Sequence, residues 1–377
     1  MRAYLDHAST SPLRPEALDA MLPWLNGRAG IAADPGRVHT EGRVVRHAIE
    51  VAREQVAALV GARSREVVFT SGATEAANAA VWGAMSVVDP GSAIACAPVE
   101  HSCVRDASAR HRVIALAVDS VGRLDVASVE AAIDDGARLV HCQWANHEVA
   151  TLQPVAEVAA LCRERGVLLH VDAAQAVGHV PVDFTGAGID LMSVSGHKFG
   201  APTGMGALIV RRGLRLDPLV VGGAQERARR AGMENVAAIA GFGAAASAVA
   251  GSLVTEGPTQ RAFTETILRA ATAVEGITPF GDLTDRAPHI VCFGIGGVEA
   301  EPELLGLDQE GVAAHSGSSC SAESLEPSPV LEAMGVDAER SLRVSVGWST
   351  SPAEVDLFVT KFAGVVQRLR ALGSSAS

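Results

Sequence analysis

Aromatic residues are scarce in this chain, with nine Phe, four Trp and one Tyr among 377 residues. A core with so few rings has to be filled mostly by Ala, Val and Leu, and 48% of the chain is apolar. Positive charge is not in excess either. The formal net charge is −12 and the sequence pI about 5.5, which argues against a nucleic-acid partner or an anionic-membrane surface. The six cysteines, Cys96, Cys103, Cys142, Cys162, Cys292 and Cys320, form no C-x-x-C pair and no zinc-like cluster, so no metal site is expected. The opening Met1-Arg2-Ala3-Tyr4-Leu5-Asp6-His7 lacks the apolar stretch of a signal peptide. The expectation is a cytoplasmic protein with reduced thiols. The one long uncharged run, 236–254, is rich in Ala, Gly and Ser rather than Leu, Ile and Phe, which reads as a closely packed buried helix and not a membrane span. Pro-rich linkers, repeats and low-complexity segments are absent apart from a short tail, 373–377, expected to fray.

What is present is an alternation. Val45, Ala48, Ala52, Val56 and Leu59 recur at helical spacing, and Gly61 can stop that helix. Strand-like runs follow at 67–70, 93–97, 113–118, 139–143, 167–171, 191–195 and 207–210, with helical stretches such as 154–164 between several of them. This predicts an α/β fold with a mainly parallel central sheet in a large domain, 14–255. The later third changes character. Helices are expected at 259–274 and 352–372 and strands at 290–293 and 342–346, a smaller α+β domain comprising 1–13 and 256–377.

Ligands in open α/β sheets collect beyond the carboxyl ends of the strands. Here those ends are polar in succession. The 67–70 run leads into Ser71-Gly72-Ala73-Thr74-Glu75, a small-residue turn opening a helix, whose backbone N–H groups and Thr74 hydroxyl suit a phosphate. The next runs lead to Glu100-His101, to Asn146-His147-Glu148, to Asp172 and Gln175, and to Ser195, His197 and Lys198. Each piece alone is weak: such a turn is usually only a helix start, and most lysines are solvated. Together, a partly desolvated lysine and an aspartate at neighbouring strand ends suit pyridoxal phosphate (PLP), which needs a Schiff-base lysine and an acid beside its pyridinium nitrogen.

These residues, with Tyr4-Leu5-Asp6-His7-Ala8, Ser316-Gly317-Ser318-Ser319-Cys320, Ser324-Leu325-Glu326-Pro327-Ser328 and Arg343-Val344-Ser345-Val346-Gly347, make the sequence resemble the cysteine desulfurases, class-V aminotransferase relatives of PLP fold type I. The resemblance implies PLP on Lys198, with Asp172 at the pyridinium nitrogen, Gln175 at the ring oxygen, and Ala73, Thr74, Ser195 and His197 at the phosphate. It also implies that His101 stacks on the ring as an acid/base and that Asn146 and Arg343 bind substrate, the arginine by forking onto its carboxylate. Cys320, in a small polar loop and not an apolar run, would take the substrate sulfur as a persulfide. L-cysteine is then the substrate, L-alanine the product, the enzyme a homodimer, and the sulfur goes on to an acceptor protein such as an iron–sulfur scaffold. Three places depart from the family pattern, one being Ala33-Asp34-Pro35-Gly36 in place of a Gly-Asn-Pro-Ser-like stretch. His147 stands where an asparagine is usual at the ring, and Met233 where a threonine hydroxyl usually reaches the partner subunit's phosphate. The alternatives are a PLP lyase or transferase acting on selenocysteine or a cysteine conjugate, and a weakly active sulfur-relay binding protein.

Overall fold

The structure is a computed structural model and describes residues 2–25, 33–316 and 327–375. Its strands are β1 (Ala3–Tyr4), β2 (Val67–Thr70), β3 (Ala93–Cys96), β4 (Arg112–Ala115), β5 (Ala137–His141), β6 (Leu168–Asp172), β7 (Leu191–Ser195), β8 (Gly206–Val210), β9 (Ile277–Phe280), β10 (Ile290–Ile295), β11 (Val312–Ala313) and β12 (Ser341–Ser345). The main sheet has the order β2-β8-β7-β6-β5-β3-β4. Strands β3 to β7 pair in parallel, whereas β8 runs antiparallel to both β7 and β2. The carboxyl ends of β2, β3, β5, β6 and β7 therefore lie along one edge. Residues of β2, β3, β7 and β8 are buried throughout, as expected where helices cover both faces and the strand sequence reads as a continuous apolar run. Strand β4 closes one side of the sheet and is mostly exposed, which is why its segment is shorter than the apolar run suggested.

Close backbone approach positions the first turn. A Cβ at Gly206 would meet Val194 O at 2.5 Å and Gly72 Cα at 2.6 Å. Only glycine at the start of β8 lets the Ser71–Thr74 turn lie against the end of β7.

A second sheet, β12-β10-β9, is antiparallel, and β1 pairs in parallel with β11. Its core gathers Ala3, Leu5, Phe293, Leu342, Phe358 and Phe362. Bridges Asp6–Ser345 and His315–Arg343 tie the N-terminal segment and the end of the β11 region to β12.

Sequence spacing suggests separate helices at 236–254 and 259–274. The structure runs them together as one helix of 37 residues, Val236–Thr272, with Pro258 inside it. That is roughly 55 Å of helix at 1.5 Å per residue. It is long and apolar enough to cross a membrane by composition alone. In the fold, however, Ala238, Phe242, Ala245 and Val249 pack in the core of the main sheet, and Ile267 and Ala271 in the second core. Packing at both ends holds the helix through a proline that removes one internal hydrogen bond.

Candidate active site

The strand ends and the N-terminal segment enclose one cavity of about 590 Å³. Ala73, Thr74, His101, His147, Asp172, Gln175, Ser195, His197, Lys198 and Arg343 all line it. Each arrives by a local route. Thr74 sits in the first turn of the helix Ala73–Ser86, where backbone N–H groups lack intrahelical acceptors. His101 caps the helix Ser102–Ser108. Asp172 and Ser195 end β6 and β7, and Lys198 lies in the single 3-10 turn Gly196–Phe199 that follows.

Lys198 Nζ donates to Ala8 O at 2.6 Å and Ser9 O at 3.0 Å. Carbonyls suit an ammonium donor but do not neutralise it. The chain holds only two lysines. The other, Lys361, is ion-paired with Glu310 at 2.8 Å on the C-terminal helix Pro352–Ser375. Asp172 is buried, and its Oδ1 accepts from Ala174 N at 3.0 Å. Gln175 Nε2 donates to Ala8 O at 2.8 Å, and its Oε1 faces His289 Nε2 at 3.1 Å. His197 Nδ1 lies 3.2 Å from Thr10 Oγ1. Burial, reinforced by the Lys198 ammonium, lowers its pKa to about 4, so it is neutral near pH 7.

Arg343 is 2% exposed. Its Nη1 donates to His147 O at 2.9 Å, and its Nη2 donates to Ser9 Oγ at 2.8 Å and Asp6 Oδ1 at 3.1 Å. The buried Nε has no partner. The guanidinium is thus oriented by three protein acceptors and keeps donor capacity for another. His147 packs edge-on to His101 with ring centroids 5.2 Å apart, and its Nε2 lies 3.5 Å from Glu148 Oε1. Burial lowers the His147 pKa, while the Glu148 carboxylate opposes that shift. Behind them Glu100 is pushed up to about 8 by burial and by Asp172, although it accepts from Gln143 N at 2.7 Å.

Asn146 does not line the cavity. Its side chain is fully buried: Nδ2 donates to Val99 O, and Oδ1 accepts from Glu148 N and Val149 N at 2.8 Å each. It shapes the turn that presents His147. Met233 is 65% exposed and lines a neighbouring cavity with Ser71, Gly204 and Arg230. Arg230 pairs with Glu75 at 2.9 Å. Cys320 lies outside the described residues.

Sequence reasoning missed two contributions. The carbonyls of Ala8 and Ser9 come from a segment more than 180 residues away from Lys198, and no local pattern announces them. Cys103 also lines the cavity. Its place two residues after His101 at a strand-to-helix turn was a usable signal. The other four described cysteines, Cys96, Cys142, Cys162 and Cys292, are buried, and burial pushes their thiols well up. Among the described residues, no group of three or more His, Cys, Asp or Glu is placed to hold a metal ion.

The family model for class-V aminotransferases matches residues 3–358. A cysteine desulfurase of Nostoc sp. is 39% identical, with 98% of this chain and 94% of that protein covered. A solved structure of a NifS-like protein superposes with a TM-score of 0.90 at 27% identity, covering 98% of this chain and all of that one. The structure of SspA in complex with cysteine superposes with a TM-score of 0.80 at 28% identity, covering 93% of this chain and all of that one. With its mostly parallel sheet and its polar strand ends on one cavity, the chain belongs to the class-V aminotransferases and, within them, to the cysteine desulfurases.

Proposed function

We propose that this chain is a PLP-dependent cysteine desulfurase that converts L-cysteine to L-alanine and passes the sulfur to Cys320. The observation that carries the reading is the convergence of Lys198, Asp172, His101, Gln175 and Arg343 on one cavity of about 590 Å³. The donor set fits the cofactor. The N–H groups of the first helical turn, with the Thr74 and Ser195 hydroxyls and His197, suit a phosphate. Asp172 would be the acid beside a ring nitrogen, Gln175 would offer the second hydrogen of its amide to a ring oxygen, and His101 would cover a ring face. When bound, PLP supplies an electron sink for charge developing at the substrate Cα.

The chain's own residues do the rest. Lys198 Nζ binds the cofactor and carries the α-proton. Arg343, held by Asp6, Ser9 and the His147 carbonyl, binds the substrate carboxylate through its remaining donors. The Cys320 thiolate attacks the substrate sulfur. The carbon–sulfur bond breaks, Cys320 keeps the sulfur as a persulfide, and the carbon takes a proton to leave as alanine. Two contacts of the described flanks support Cys320 in this role: the His315 backbone bonds that of Arg343, which lines the cavity, and Ser328 Oγ donates to Glu148 Oε2, the residue after His147. A homodimer, a protein sulfur acceptor and a cytoplasmic location complete the proposal. The last is supported by the described cysteines being free thiols.

The test exploits the two lysines. Purified protein supplied with PLP is reduced with borohydride and mapped by peptide mass spectrometry, and the label is expected on Lys198 alone. Turnover of L-cysteine should then yield alanine, with sulfide appearing when a reductant is added. Cys320→Ser should bind PLP and release no sulfur. Failure to take up PLP, or pyruvate in place of alanine, overturns the assignment, the second outcome in favour of a lyase.

A further inference from the structure

Cys103 occupies an unusual position for a buried thiol. It is the second residue of the helix Ser102–Ser108, and His101 is that helix's N-cap. The backbone N–H of Cys103 donates to His101 Nδ1 at 3.2 Å, and Cys103 Sγ lies 3.0 Å from the same nitrogen. A backbone N–H can only donate, so Nδ1 must present its lone pair. The ring hydrogen of a neutral His101 is then on Nε2. A thiol beside that lone pair donates to it as well, and burial keeps the sulfur protonated near pH 7 by pushing the Cys103 pKa up.

We propose that Cys103 is a positioning residue of the active site, which with its own N–H holds His101 as the neutral Nε2–H tautomer. This rests on the reading of His101 as the residue that meets the cofactor ring. Proton exchange at His101 is thereby confined to Nε2, because an imidazolium would need a hydrogen on Nδ1, where two donors already point. The other charged or titratable groups near the ring are Glu100 from its own segment, and His147, Asp172 and Lys198 across the cavity. The Asp172 carboxylate favours the imidazolium and the Lys198 ammonium disfavours it, whereas Glu100, raised to about 8, is neutral below that pH.

The experiment is long-range ¹H–¹⁵N correlation on the full chain with labelled histidine, recorded between pH 5 and 9 with and without PLP. The His101 signals are identified by their loss in His101→Gln. In the wild type the Nδ1 shift should be that of an unprotonated nitrogen at neutral pH. Removing one hydrogen bond to the neutral ring in Cys103→Ala should raise the His101 protonation midpoint by roughly half a unit or more. Cys103→Ser keeps a donor at the same place and should restore the wild-type midpoint. The acid limb of the kcat/KM profile should move with the midpoint in Cys103→Ala and return in Cys103→Ser. A proton on Nδ1 in the wild type overturns the proposal. So does a midpoint unchanged in Cys103→Ala, or one that shifts equally in Cys103→Ser. The tautomer signal is read without cofactor too, so failure to bind PLP counts against the desulfurase reading and leaves this test standing.

Discussion

At the scale of single residues, the site is a set of charges and rings whose neighbours settle their state. Arg343 is the clearest case. A guanidinium that is 2% exposed is tolerated because Asp6, Ser9 and a carbonyl pair with it, and the same three contacts aim what is left of its fork. Lysine keeps the charge but cannot hold three acceptors in that plane while reaching a fourth. Arg343→Lys is expected to fold and bind PLP yet raise the KM for L-cysteine roughly ten- to hundred-fold, the worth of about 1.5–3 kcal/mol for a lost charge-assisted hydrogen bond. Discrimination between L-cysteine and cysteamine, which lacks the carboxylate, should shrink in the variant. An unchanged KM, with discrimination intact, would move the carboxylate site elsewhere.

At the scale of elements, the helix Val236–Thr272 decides how the two cores are held together. Its glycines are not equivalent. A Cβ at Gly243 would meet Ala52 Cα and Gln55 Oε1 at 2.5 Å on the neighbouring helix Thr40–Leu59. A Cβ at Gly251 meets nothing within 4 Å. Alanine is the better helix former by about 0.8–1 kcal/mol at either position. At Gly251 that gain should appear directly, whereas at Gly243 an approach onto backbone costs about 1–3 kcal/mol and reverses the sign. Chemical denaturation of the two single variants checks this. Gly243→Ala more stable than wild type would mean that the helices do not pack as closely as described.

At the scale of the whole molecule, stability should depend on pH through buried histidines. Burial lowers His7, His170, His179 and His197 to about 4, and His141 and His289 well below their ordinary value. Near pH 7 these rings are neutral folded and unfolded alike. As the pH falls below about 6.5 the unfolded chain takes up protons that the fold refuses, so stability is lost between about 6.5 and 4. For His170 and His179 this amounts to roughly 3 kcal/mol each. Glu100 and Glu303 act in the opposite sense. Burial raises both to about 8, so their contribution is full below about 4.5 and fades as the pH rises through 8. Six histidines are strongly lowered against two carboxyls strongly raised, so Tm should peak near pH 6.5 and drop by roughly 10 °C or more toward pH 4.5, with a gentler fall toward pH 8. Calorimetry across that range tests it. A flat Tm between pH 4.5 and 6.5 would show that the histidines are not held neutral.

The sequence by itself determined the alternation of strands and helices, the polar turn after each strand, and the lysine and aspartate at neighbouring strand ends. These are local properties, because period-2 and period-3.6 patterns and small-residue turns act over a few residues. Only the tertiary structure decided the rest. Antiparallel β8 between β2 and β7 is a pairing choice that no segment encodes alone. Two apolar stretches joined as one helix because cores at both ends outweigh a proline. Asn146 turned inward because Val99 and the backbone of its own turn took its amide. Cys103 turned toward the cavity because capping by His101 sets the start of its helix. The carbonyls that hold Lys198 arrive from the far N-terminal segment. Long-range contacts of this kind form because burial and hydrogen-bond satisfaction are properties of the assembled core, to which every segment contributes at once.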